Sequence, residues 1–278
     1  MRAFPWWFVV GVCVVAALVA QAIVRNIWAD PIATTVEALT AELPRDSLEA
    51  ARHPTSFRAH RRLAEVLLHL GHVREADASA RRAVQLAPRQ ASAHGTLGAV
   101  LIAEGQWAPG LAELVTARAC GARDRMTLTS LAWGYDMARQ NDAADRAYAS
   151  AIDRYPADPV LVNAYTLFAI RTGRPQALDY AQRVVALAPS WAPAHATLAL
   201  AYAGRNDAHH AREQMQRATE LAPNLWWYWA NLGSYAFLDG DTTAAWAAFS
   251  RARGLDSAHV DATPSWRAMW ATANAAHH

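Results

Sequence analysis

Five prolines set the frame of this chain. Pro54, Pro88, Pro156, Pro189 and Pro223 fall on a period of about 34 residues, with one place skipped between Pro88 and Pro156. The last four each follow an apolar, alanine-rich segment. Proline ends a helix because it lacks a backbone N–H and clashes with the preceding turn. Such a period belongs to stacked two-helix hairpins: one hairpin alone leaves an apolar face uncovered and must share it with a neighbour.

The letters inside the period agree. Counting back from Pro88, one unit begins at Phe57, with Leu63 and Ala64 in its first helix, Gly71 at its turn, and Ala76, Ala80 and Ala83 in its second. Equivalent places hold Leu97, Gly98, Gly105 and Gly110, then Leu131, Ala132 and Ala144, then Gly173, Ala177 and Ala181. The last two units give Leu198, Ala199 and Ala211, then Leu232, Gly233, Gly240 and Ala245. Small residues let paired helices approach, leucine fills the seam, and glycine breaks the first helix. With 53% apolar residues and alanine dominant, the chain reads as all-α. All 26 basic residues are arginine, and the net charge of +2 supplies no broad field to select nucleic acid.

These residues resemble the tetratricopeptide repeat (TPR) family, with six units over 57–259. The resemblance implies a right-handed α-solenoid of about six helical hairpins. Ala122 and Ser257 stand where the closing proline is usual, Gly110 replaces a usual alanine, and Thr166 a usual small residue. Residues 260–278 read as a capping helix, with Thr263 as N-cap, Pro264 at its first position and Trp266, Met269, Trp270 and Ala273 on one stripe. Between 29 and 56, Val36, Leu39 and Leu43 predict a short helix ended by Pro44, and Ser47 to Arg52 half a repeat closing at Pro54.

Residues 1–28 read as a transmembrane helix. Ala3 to Val24 carries no charge, and as a helix it would span ~33 Å, about one bilayer core. Trp6 and Trp7 at one end and Trp28 at the other are spaced as two interfacial belts, with Arg2 and Arg25 outside the run. A cleaved signal peptide is the alternative, since Ala20-Gln21-Ala22 has the small-residue pattern of a cleavage site. The positive-inside rule leans to an exported remainder, and the Arg cluster beyond residue 52 pulls the other way.

No catalytic motif is found, and neither cofactor nor metal site is expected. His60, His94 and His195 occupy one repeat position and read as packing residues, while His209-His210 cannot easily aim both rings at one ion. Trp227, beside Trp226, reads as a ligand anchor or as packing on the preceding unit. The family resemblance implies a concave groove along the first helices that holds a protein partner. Carried over by position, its tentative lining is Arg58, Arg61, Arg62 and Glu65 at one end. Trp133, Asp136, Asn163 and Leu167 follow, then Leu200, Trp227, Asn231 and Phe237. The expected occupant is an apolar helix or extended segment with an acidic part over the arginines; the alternative is that these rows pack first helices together. The implied protein is a non-enzymatic scaffold in a bacterial inner membrane, with a periplasmic solenoid, supporting assembly of a cell-envelope complex. The alternative is a constitutive subunit of a larger integral membrane complex.

Overall fold

A computed structural model describes residues 36–275. Fifteen helices and no strand occur among the described residues. The chain divides into two compact units, which among the described residues cover 36–165 and 166–275.

The first unit opens with α1 (Val36–Arg52) and continues through α2 (Phe57–His69), α3 (Val73–Leu86), α4 (Ala91–Ala103), α5 (Trp107–Ala119), α6 (Arg125–Met137) and α7 (Asn141–Arg154). α2/α3, α4/α5 and α6/α7 are hairpins, α3 and α5 also pack on the next first helix, and α2, α4 and α6 touch in series. α8 (Pro159–Arg171) spans the boundary. The second unit holds α9 (Ala177–Leu187), α10 (Ala192–Ala203), α11 (Ala208–Leu221), α12 (Trp226–Leu238), α13 (Thr242–Leu255), α14 (Ser257–Asp261) and α15 (Pro264–Ala275). Here α10/α11 and α12/α13 are the hairpins, and α15 lies against α12. Its Trp266 and Met269 are buried with Phe249 and Val260, so α15 covers the open end of the last hairpin.

Two expectations for the segment 1–56 need comment. The apolar run 3–24 lies outside the described residues, and among those described no helix is long and apolar enough to cross a membrane. The expected break at Pro44 is corrected: α1 runs unbroken through it. Leu39, Asp46 and Ala50 are buried on one side of this helix, before and after the proline. Arg62 of α2 donates to Glu42 at 2.9 Å and lies 3.2 Å from Asp46, so it ties down both sides of Pro44. Tertiary contact outweighs the local cost of one missing N–H. A second departure is α14, a single extra turn capped by Asp256, whose carboxylate accepts from the His259 N–H at 3.1 Å.

The turn inside each hairpin has one recurring device. Gly71, Gly105, Arg139, Gly173, Asn206 and Gly240 all have positive φ, and they recur in step with the proline period. Arg139 and Asn206 carry a side chain in this left-handed region, which costs more for arginine than for asparagine.

The turn between hairpins has another. The ring of His94 bonds through Nε2 to the Pro88 carbonyl at 2.9 Å, and that of His195 to the Pro189 carbonyl at 2.9 Å. His60 does the same to Pro54 at 3.2 Å, and the Trp229 indole N–H donates to Pro223 at 2.8 Å. The closing proline's carbonyl thus receives a ring N–H from the start of the next helix, which satisfies a group that helix termination would otherwise orphan. The shared histidine position is therefore a closure bond as well as a packing position.

His94 makes a second bond, from Nδ1 to Glu113 Oε2 at 2.6 Å. Both ring nitrogens face acceptors, an arrangement that favours imidazolium. Burial opposes that charge, but the bonds to Glu113 and to the Pro88 carbonyl outweigh it and hold the pKa above its ordinary 6.5. The stabilisation is fully present below about pH 6.5 and is lost as pH rises through the folded value. Glu113→Gln reproduces the His195–Gln214 pair, whose Nδ1 lies 2.9 Å from the amide oxygen. NMR titration of the ring is expected to give a midpoint above 6.5 in the parent and a lower one in the variant. A parent midpoint at or below that ordinary value would refute the charged pair.

Candidate protein-docking site

The described cleft nearest to the expected groove lies at the N-terminal ends of α4 and α6, facing the middle of α2. It encloses about 440 Å³ and is lined by Arg61, Glu65, His69, Ser92, Asp124, Arg125, Met126 and Thr129. One wall is the Arg61–Glu65 ion pair, one turn apart on α2. The Thr96 hydroxyl of α4 sits 3.1 Å from Glu65 Oε1, so the pair is also fixed across the helix seam. His69 Nδ1 is turned to the Glu65 carbonyl at 2.6 Å. On the far wall Arg125 pairs with Asp158 at 3.4 Å, and Asp124 caps α6 by accepting from the Thr127 N–H at 2.9 Å. Thr129 is almost fully buried, and its hydroxyl has no partner among the described residues.

The tentative groove residues separate by burial. Trp133, Asp136, Asn163, Leu200 and Asn231 are buried, and Ala99 and Ile102 of the same rows are fully so. These positions pack first helix against its neighbours, and Trp133 also meets Trp107 edge-on at 5.5 Å. Asn163 keeps a side-chain oxygen without a hydrogen-bond partner among the described residues. Arg58 and Arg62 are exposed, while Arg61, Glu65, Leu167, Trp227 and Phe237 are half-buried. Arg62 is committed to α1. Trp227 packs on the α10/α11 core, whereas Trp226 stacks on His259 at 5.2 Å and turns to the cap. Of the expected lining residues only Arg61 and Glu65 border the cleft; Thr129 stands two periods after Arg61.

Ser92 and Met126 were not anticipated. They stand one and two periods after Arg58, so the repeat itself marks them; rows drawn from 61, 65 and 68 pass them by. Among the described residues no histidine ring is hydrogen-bonded to a serine, threonine or cysteine. No group of three or more His, Cys, Asp or Glu among them is placed to hold a metal ion. The cleft offers charge and hydrogen bonds to an extended chain.

Hairpins that share faces in series, with an opening along their first helices, define the α-solenoid class. Residues 192–225, spanning α10 and α11, match the tetratricopeptide repeat family model. That segment, one hairpin of the series, is a tetratricopeptide repeat, and the hairpins around it share its fold. Similar solved structures include the APC/C hetero-tetramer Cut9–Hcn1, at 14% identity and TM-score 0.70, covering 86% of this chain and 48% of that one. The chain thus spans about half the length of that protein. PilF of Pseudomonas aeruginosa matches at 17% identity and TM-score 0.66 over 80% of this chain and 99% of its own. PilW matches at 14% identity and TM-score 0.67 over 77% of this chain and 98% of its own. At these identities the likeness is one of fold. No curated protein matches the sequence.

Proposed function

We propose that this protein is a non-enzymatic scaffold, held to a bacterial inner membrane by residues 3–24, that docks a partner protein along its first helices and supports assembly of a cell-envelope complex. The observation that carries the docking part is the cleft between α2, α4 and α6. Its walls are preset ion pairs, and a buried threonine hydroxyl in its lining lacks a partner among the described residues. Such a surface suits an extended segment whose backbone supplies hydrogen bonds and whose acidic side chains meet Arg61 in the lining and Arg58, exposed one turn before it on α2. The envelope setting draws on the uncharged apolar run with its tryptophan flanks, and on the like fold of PilW, a type IV pilus biogenesis factor. The positive-inside rule leans slightly to a periplasmic solenoid, against the opposite pull of the Arg cluster beyond residue 52.

The test is recovery of partners with the full-length chain from mild detergent. Arg58→Glu with Arg61→Glu reverses the mouth while sparing Arg62, which anchors α1. Recovery is expected to fall about tenfold, the loss of one or two charge pairs. Unchanged recovery from a variant with an unchanged melting temperature would remove the cleft from the docking surface. A stoichiometric complex that survives extraction intact would favour a constitutive subunit instead.

A further inference from the structure

A second opening lies among second helices, next to the N-terminal end of α6 that also borders the cleft. It is a shallow basin of about 790 Å³ between α5, the 120–124 loop and α7, and four arginines surround it: Arg118, Arg123, Arg146 and Arg154. By contrast Arg61, Arg62, Arg81, Arg125, Arg212 and Arg253 each meet a carboxylate. The four at the basin meet none among the described residues, and Asp153 is the one acid in the lining.

The concentration of charge follows from a break in the repeat. The junction before α6 has Ala122 in place of the closing proline, and Leu128 where His94 and His195 stand. No ring N–H is available to close it. The chain instead turns through Gly121 at φ 94°, with the Ala122 N–H bonded back to the Ala117 carbonyl at 2.9 Å. Guanidinium groups replace the missing ring: Arg118 and Arg123 each donate to the Ala122 carbonyl at 3.4 Å, and Arg154 to the Arg123 carbonyl at 3.0 Å. Each uses only part of its N–H set this way, which leaves further N–H groups to meet a ligand at the basin.

From this geometry we infer that the α5–α7 basin is a second docking site, for an acidic peptide segment of a partner protein. Planar guanidinium forks match carboxylates in bidentate fashion. The floor of Leu128 and Ala149, with the Ser150 hydroxyl, suits a small apolar residue between acidic ones. Nucleic acid fits less well: the chain is only +2 overall, and Asp153 interrupts the row of positive charge that a phosphate backbone would follow.

The test uses the full chain in non-ionic detergent and a fluorescein-labelled hexaglutamate peptide read by anisotropy. Binding is expected at low salt, to weaken as salt is raised, and to be absent for hexaglutamine. Arg146 makes no hydrogen bond or ion pair among the described residues, so Arg146→Glu leaves the fold intact. Measured in the Arg58→Glu, Arg61→Glu background, where the first-helix cleft no longer attracts acidic peptide, it is expected to weaken hexaglutamate binding about tenfold. Arg123→Gln, the milder second variant, should weaken it less. Equal affinity with and without Arg146→Glu in that background would overturn the proposal. So would tighter binding of an oligothymidylate of equal charge, or full competition by inorganic phosphate at the ionic strength of the assay.

Discussion

Phe249→Ala is expected to destabilise the C-terminal unit by about 3–5 kcal/mol, the range for emptying a large aromatic site in a core that cannot collapse. Phe249 is fully buried on α13. Its ring lies where Gly233 of α12 has no side chain, and a Cβ at Gly233 would stand 2.7 Å from it. Its other edge meets Trp266 of the cap at 5.7 Å. The residue therefore joins the last hairpin to the helix that covers it, and no small shift fills the hole from both sides. Six of the twelve tryptophans fall between 226 and 270, so indole emission reports this end above all. Urea unfolding followed by that emission should show the transition moving to lower denaturant. A loss below about 1 kcal/mol would mean that the cap does not rest on α13 as described.

Gly98→Val is the second large effect, at about 1–3 kcal/mol from overpacking. A Cβ at Gly98 would come 2.6 Å from Leu114 Cγ and 3.0 Å from the Gly110 carbonyl oxygen. Leu114 is itself fully buried, so it has no room to retreat. Gly110 faces back with equal closeness, its absent Cβ only 3.0 Å from the Ile102 backbone nitrogen. α4 and α5 thus touch through two glycines, which explains why Gly110 replaces the alanine usual in the repeat. Thermal melts of Gly98→Val, Leu114→Ala and the double variant form the check. The two changes relieve one another and should be clearly less than additive; simple additivity would show that Leu114 is not what the valine meets.

The hairpins were legible because each boundary is written in residues with one backbone meaning. Proline closes, glycine turns, and both recur at a fixed interval. The fifth hairpin, with Leu198, Ala199 and Ala211, is also the one that the family model matches. Where a boundary depends on distant contacts, the letters misled. Pro44 reads as a stop, yet Arg62, far along the chain, holds the helix together across it. The left-handed turn at Arg139 carried no glycine to announce it. The cleft was legible in part. Arg61, Glu65 and Thr129 follow from repeat position, but the burial of Trp133, Asp136 and Asn163 depends on how closely neighbouring first helices approach. That spacing is set by small residues on both helices at once, and a linear reading sees only one of them.

The division of labour on the first helices bears on how such a protein can change. Side chains that weld one hairpin to the next, such as Ile102 and Trp133, are hidden, while Arg58, one turn before Arg61 on α2, is exposed. Mutation at the mouth can therefore explore new partners without eroding the architecture. Recognition is free to drift over evolutionary time while the scaffold beneath it is conserved by its own mechanical needs.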